Sequence, residues 1–271
     1  VVIGEDLKIG DLDPGAPELR PDSVYNLDNA YITANYQLSS DQFAVIVTTP
    51  DSGLLNFETI LEMDRLEEIL RDIPGVQTTV SAASLARTYT AAGFEGSPKW
   101  VTINRDNYVV ADAINYVYDS NPEMFNDARS VAPVIAFLAD HKAETLDRVV
   151  KAVENFAAEH NTEERKFLLA AGSSGIEAAT NIAVAKANRT MLFYVYAAVI
   201  VLCFITFRSW RAVIVAVVPL IVTSVLCEAL MVKLGIGVKV AMLPVTALGV
   251  GIGVDYALYL LTVHLAEQRK G

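Results

Sequence analysis

The sequence predicts an external α/β domain, residues 1–187, joined to a transmembrane α-helical bundle fragment of three spans, residues 188–271. Long runs without charge occupy the last third of the chain, and strand-like and helix-like segments alternate before them. The charges divide at the same place. Residues 188–271 contain seven Lys and Arg and three Asp and Glu, against 14 and 29 in residues 1–187. An acidic, solvated part is therefore followed by an apolar part that suits a lipid bilayer.

The predicted spans cover residues 191–207, 212–232 and 240–263. The first has no charged residue, and the other two are each interrupted by one acid, Glu228 and Asp255. A helix needs about 20 apolar residues, with about 17–25 as the workable range, to cross the hydrocarbon core. All three runs are long enough, so the bilayer is the first partner that the sequence predicts.

Basic residues near the ends of the spans predict the orientation. Four lie on one side and three on the other: Arg208, Arg211, Arg269 and Lys270 against Arg189, Lys233 and Lys239. Since basic loops favour the cytoplasm, the turn with Arg208 and Arg211 is expected there. Residues 1–187 then lie on the opposite, external side.

The external domain contains two predicted β-α-β units. Short β-branched runs predict the strands, and apolar residues at helical spacing predict the helices between them. The units comprise strand 43–49, helix 57–73 and strand 76–80, then strand 134–138, helix 144–158 and strand 167–171. This order suggests a ferredoxin-like split βαβ sheet with two helices on one face. A helix-like stretch, 24–36, precedes it, and an insertion at about 81–132 carries another at 107–118.

Several function classes are disfavoured. No concentrated basic face is visible for nucleic acid. Both cysteines, Cys203 and Cys227, lie in the predicted spans, so no disulfide framework is expected in the external domain. The three histidines are scattered, and no catalytic constellation stands out. We therefore expect no enzyme activity, metal or cofactor.

Asp255 is the most informative residue, because it lies well inside an apolar span in the segment LGVGIGVDYALYL. A charged side chain at the bilayer centre costs a few kcal/mol or more, and such residues usually mark ion or proton pathways. Desolvation raises a carboxyl pKa and a basic partner lowers it, so a site that alternates between the two conditions takes up and releases protons. Tyr256 is able to donate to a neighbouring carboxylate. The alternative is that Asp255 only forms an interhelical hydrogen bond.

Three glycines precede the acid. Gly249 and Gly253 share a helix face and suit close approach of another helix, whereas Gly251 lies on the Asp255 face and leaves room for a partner or water. Glu228, near the outer end of its span, is a possible secondary acid, although a carboxylate that reaches interfacial water is favoured there. Thr223, Ser224 and Thr246 suit hydrogen bonds across helices or back to their own helix.

GVGIGVDYALYLL resembles the fourth transmembrane helix of resistance–nodulation–division (RND) exporters, in the MMPL-like branch, which has an Asp-Tyr pair there. The basic turn FRSWRAV and the order of an external domain before the spans are also similar. In that family two halves, each with six spans and one external domain, form a transporter whose Asp-Tyr pairs relay protons. The resemblance implies a proton relay at Asp255 and Tyr256, and residues 1–187 on the periplasmic side of the inner membrane.

The resemblance further implies an exporter of hydrophobic or amphiphilic molecules driven by the proton-motive force, with protons as the coupling ion. Only three spans are present, so the sequence is expected to be a fragment of one half, and the missing remainder of the transporter is an expected partner. A homo-oligomer is possible. The alternatives are a sterol-sensing or lipid-handling membrane protein, which often has two adjacent acids at this position, and a non-transporting membrane scaffold.

Overall fold

A computed structural model describes residues 8–12, 15–16, 19–36 and 39–268, without the side chains of residues 170, 265 and 268. Arg269 and Lys270, which contributed to the predicted orientation, lie outside the described residues. The chain has two compact units, one within residues 13–179 and the other comprising residues 8–12 together with residues from Thr180 onward. The predicted domain boundary after residue 187 stays a prediction.

The first unit contains five complete α-helices, three short 3-10 helices and four strands among the described residues. The helices are α1 (Val24–Asn35), α2 (Phe57–Arg71), α3 (Ala82–Gly93), α4 (Asn107–Ser120) and α5 (Ala143–His160). The strands are β1 (Gln42–Thr48), β2 (Val76–Ser81), β3 (Val131–Leu138) and β4 (Lys166–Ala171). Each predicted strand and helix of the two β-α-β units is confirmed to within three residues at either end.

The strands form one antiparallel sheet in the order β2-β3-β1-β4. Val45 of β1 pairs with Val134 of β3, and Ile46 pairs with Leu168 of β4. Alternate residues of β1 and β3 are buried under α2 and α5, so one face of the sheet carries the core of this unit. The sheet is small and antiparallel, and its assignment as a ferredoxin-like split βαβ sheet stays a prediction.

The insertion between β2 and β3 forms α3 and α4, which pack on each other. Tyr89 of α3 stacks on Tyr116 of α4 with ring centroids 4.2 Å apart. The Asn107 side chain at the start of α4 accepts a hydrogen bond of 2.8 Å from the amide of Phe57. The insertion therefore caps the N-terminus of α2, whose own N-cap residue, Asn56, makes no side-chain cap bond.

Three long helices follow: α6 (Gly172–Phe207), α7 (Trp210–Leu234) and α8 (Met242–Gln268). Each is long and apolar enough to cross a membrane, α8 over residues 242–264. The three predicted spans are thus confirmed as candidate membrane-spanning helices. Their shared apolar cluster centres on Cys203 of α6, Ala216 of α7, and Val250 and Val254 of α8.

The α7–α8 loop is tied to residues 8–12. The amide of Gly10 donates to the carbonyl of Val238 at 3.0 Å, and the amide of Val238 donates to the carbonyl of Lys8 at 3.0 Å. Lys239 in the same loop pairs with Asp11. These contacts fix the loop that leads into α8.

Candidate functional site

Asp255 lies on α8, on the side that faces away from α6 and α7. Val250 and Val254 are buried in the apolar cluster shared by the three helices, whereas Asp255 and Gly251 are exposed. The spacing of i and i+4 puts Gly251 and Asp255 on one face. Within the described part of the chain, Asp255 forms no hydrogen bond or ion pair.

Tyr256 is 70% exposed and also forms no hydrogen bond with the described residues. It is next to Asp255 in sequence, so the two side chains diverge around the helix by about 100° at 3.6 residues per turn. The two residues share a broad exposed side of α8 but do not contact each other through a hydrogen bond.

The exposed side of α8 is otherwise apolar or aromatic. Leu248, Ile252, Tyr259 and Leu260 are each more than half exposed. Leu248, Ile252 and Tyr259 lie seven, three and four residues from Asp255, which places them beside it on one stripe, and Leu260 follows Tyr259 at its edge. This stripe, Leu248 to Leu260, presents a single carboxyl group within an uncharged surface.

The three glycines have different surroundings. A Cβ at Gly253 would overlap the Leu220 side chain of α7, so this glycine lies where α7 and α8 approach closely. A Cβ at Gly249 or Gly251 would meet no atom within 4 Å. Gly249 borders a cavity, and Gly251 lies beside the acid.

The cavity lies between α6, α7 and α8 and has a volume of about 320 Å³. Glu228 of α7 lines it, together with Asn188 of α6 and Gly249 of α8. Glu228 is partly buried and forms no hydrogen bond or ion pair with residues that the structure describes. The second intramembrane acid therefore lies against a cavity, in a different environment from the first.

One polar contact between the spans joins α6 to α7. The Tyr196 hydroxyl lies 2.6 Å from the Ser224 hydroxyl and donates to the carbonyl of Leu220 at 3.3 Å. Thr223 and Thr246 instead donate to carbonyls of their own helices, at 2.8 and 3.0 Å. Of the three hydroxyl residues considered from the sequence, Ser224 bonds across helices and the two threonines bond back.

Two histidines contact carboxylates in the first unit. Nδ1 of His141 lies 3.1 Å from Asp41, and Nδ1 of His160 lies 2.8 Å from Glu62. The sequence analysis did not find these pairs, because their members are about 100 residues apart. The expectation that protons are the coupling ion, with no metal or cofactor, stays a prediction.

The comparison with protein families decides the family of this chain. The model of the MMPL family matches residues 29–271, which include the sheet, the three long helices and Asp255. This chain belongs to the MMPL family. No curated protein matches it.

MMPL proteins are membrane transporters and not enzymes, which suggests a membrane transporter-like role for this chain. The match bears out the resemblance drawn from GVGIGVDYALYLL. The roles of Asp255, Tyr256, Glu228 and the glycines are not assigned by it and stay predictions.

Proposed function

We propose that this MMPL chain is part of an exporter of hydrophobic or amphiphilic molecules, driven by the proton-motive force, in which Asp255 and Tyr256 relay protons. The observation that carries the proposal is the position of Asp255. It is the single carboxyl on an apolar, exposed stripe of a candidate membrane-spanning helix. A carboxyl in this position is costly in lipid, and intramembrane acids usually serve ion or proton pathways.

The relay requires a second surface that covers the stripe. Asp255 has no partner within the described residues, so a basic or hydrogen-bonding group has to come from further helices of the transporter or from another copy. In general, a carboxyl group surrounded by lipid favours its protonated form, and a carboxyl group beside a basic group favours its ionised form. Alternation between these conditions moves a proton across the site.

Tyr256 would extend the relay to a second helix. Its hydroxyl forms no hydrogen bond with Asp255 of its own helix, so its partner in this proposal is a carboxylate on the covering surface. The absence of an Asp255–Tyr256 hydrogen bond within the described chain supports this division of roles.

The proposed location is the inner membrane, with residues 1–187 on the periplasmic side as a porter-like domain. The α6–α7 turn carries Arg208 and Arg211, which favour the cytoplasm. The strand order is β2-β3-β1-β4, and the helices α2 and α5 connect β1 to β2 and β3 to β4. This topology supports a ferredoxin-like assignment for the sheet.

Transport by the full-length protein in sealed vesicles tests the proposal. A fluorescent amphiphile is followed with a pH gradient imposed, and again after an ionophore collapses the gradient. We expect transport to stop when the gradient is lost, because protons moving past Asp255 supply the work. Transport that is indifferent to the gradient would contradict proton coupling. Absence of any transport, with the protein folded, would favour a lipid-handling protein or a scaffold.

A further inference from the structure

The cavity between α6, α7 and α8 is large enough to hold a small ligand. Its volume of about 320 Å³ lies at the lower end of the range of about 300–1,000 Å³ that is typical of ligand sites. A headgroup and a short stretch of alkyl chain fit this volume, whereas a whole lipid does not.

The walls of the cavity differ in chemistry. Leu192, Leu220 and Val245 provide apolar surface from three helices, and Glu228 provides a carboxyl group. A few polar groups on a mostly apolar wall are typical of sites that orient a ligand. This combination suits a molecule with one apolar end and one polar end.

Glu228 is available to a ligand, because the hydroxyl groups that line the cavity with it bond elsewhere. Ser224 contacts Tyr196 at 2.6 Å, and Thr223 and Thr246 donate to backbone carbonyls of their own helices. Lys239 of the adjoining loop pairs with Asp11. No described basic side chain forms an ion pair with Glu228, so the carboxylate lacks a cation that a ligand is able to supply.

We propose that this cavity binds an amphiphile with a cationic headgroup, with the ammonium group at Glu228 and the alkyl chain along the apolar wall. The proposal rests on the exporter function proposed above, and names the charge class of its substrate. Glu228 acts here as a specificity-determining residue. It discriminates between amphiphiles by charge, since a carboxylate in an apolar wall is poorly compensated without a cation.

Binding of two matched probes to the purified full-length protein in lipid nanodiscs tests the charge. One probe is a fluorescent alkyl-trimethylammonium compound, and the other carries the same fluorophore and chain with an uncharged alcohol headgroup. We expect Glu228→Gln to weaken binding of the cationic probe by about tenfold or more and to leave the uncharged probe unchanged. Glu154→Gln, on the exposed side of α5, is the matched control and should change neither.

A second variant tests the volume independently of the charge. Gly249 borders the cavity, and a Cβ there meets no atom within 4 Å, so Gly249→Leu should place its side chain in the open space. Both probes should bind Gly249→Leu more weakly. Equal binding of the cationic probe to wild type and Glu228→Gln would overturn the charge preference. Unchanged binding of both probes to Gly249→Leu would overturn the cavity as the site.

These experiments distinguish failure of the proposed cationic site from failure of the proposed exporter function. Loss of proton flux in Asp255→Asn together with unchanged probe binding in Glu228→Gln would leave the exporter standing and remove the cationic site. Unchanged proton flux in Asp255→Asn with the expected Glu228→Gln result would leave a cationic amphiphile site on a protein that is not driven by Asp255.

Discussion

Replacement of Ser81 by alanine removes a polar contact that joins α2, β2 and α3. Ser81 ends β2 and is the N-cap of α3, where its hydroxyl accepts from the amides of Ala83 and Ser84 at 3.0 and 3.4 Å. The same hydroxyl donates to Oε2 of Glu67 at 2.6 Å, and the Glu67 side chain is fully buried. One substitution therefore removes a helix cap and the partner of a buried carboxyl.

The two losses give the magnitude. Loss of a serine N-cap costs about 0.5–2 kcal/mol, and a buried acceptor left without its partner costs about 1–3 kcal/mol. Oε1 of Glu67 has no hydrogen-bond partner among the described residues, and Nη2 of Arg71 lies 3.9 Å away, so little remains to compensate. We expect Ser81→Ala to lower the free energy of unfolding by about 1.5–5 kcal/mol. At about 2–4 °C per kcal/mol for a domain of this size, the melting temperature falls by about 3–20 °C.

The fluorescence of Trp100 provides the assay. Trp100 lies in the first unit and stacks on Phe94 with ring centroids 3.9 Å apart. The chain has two tryptophans, so Trp210→Phe leaves Trp100 as the reporter. Unfolding is measured by urea and by heat on the whole chain in detergent.

Two control variants separate the cap from the carboxyl. Ser84→Ala removes only the reciprocal hydrogen bonds to the Ser81 backbone, at 3.0 and 3.1 Å, and should cost about 1 kcal/mol. In a Glu67→Met background the cost of Ser81→Ala should fall to that of the cap. A cost for Ser81→Ala no greater than that for Ser84→Ala, or the same in both backgrounds, would refute the reasoning.

Two further perturbations have directions set by local geometry. Gly253→Ala should lower the melting temperature in detergent relative to Gly251→Ala, at a cost of about 1 kcal/mol, because its Cβ overlaps the end of the Leu220 side chain, which has to shift; equal effects would contradict the α7–α8 contact. Burial raises the pKa of Asp64 above 3.8, and Arg87, at 2.7 Å, opposes this rise. The folded state then binds the proton more tightly, so the contribution of Asp64 to stability falls as pH rises from about 4. Unfolding by urea is measured at several pH values. Asp64→Asn should remove this fall in the free energy of unfolding with rising pH, and a pH profile unchanged from wild type would contradict the prediction.

Much of the first unit could be predicted from local pattern. The β-branched run at 43–49 predicts β1, found at Gln42–Thr48, and the helical spacing of 57–73 predicts α2, which ends before Pro74 and Gly75. Gly75 has φ of +103°, a conformation that suits glycine and turns the chain into β2 after the helix has ended.

The helix α3 could not be predicted in the same way. Its buried residues are mainly alanines (Ala82, Ala83, Ala86 and Ala91), so they give no strong apolar stripe. Its position depends on packing against α2 and α4, the helices before and after it in the chain, and a local sequence pattern does not reveal that packing. The arrangement of the insertion therefore comes only from tertiary packing.

In the candidate site, too, one part could be predicted from the sequence and another part depends on tertiary packing. Asp255 stands out in sequence because an acid interrupts an apolar span, and that signal needs no tertiary information. The cavity beside Glu228 and the Tyr196–Ser224 contact depend on how three helices cross, which one sequence does not specify. The sequence shows polar residues within the apolar runs of α6 and α7, but it does not show which of these residues contact each other, as Tyr196 and Ser224 do.

Proton flux in vesicles that contain the full-length protein tests the central claim most directly. Wild type and Asp255→Asn are compared at matched expression, with folding checked by the melting temperature in detergent. We expect Asp255→Asn to lose the proton flux linked to transported amphiphile while it remains folded, because an amide cannot take up and release the proton. Undiminished flux in the folded variant would contradict the relay and return Asp255 to a packing role.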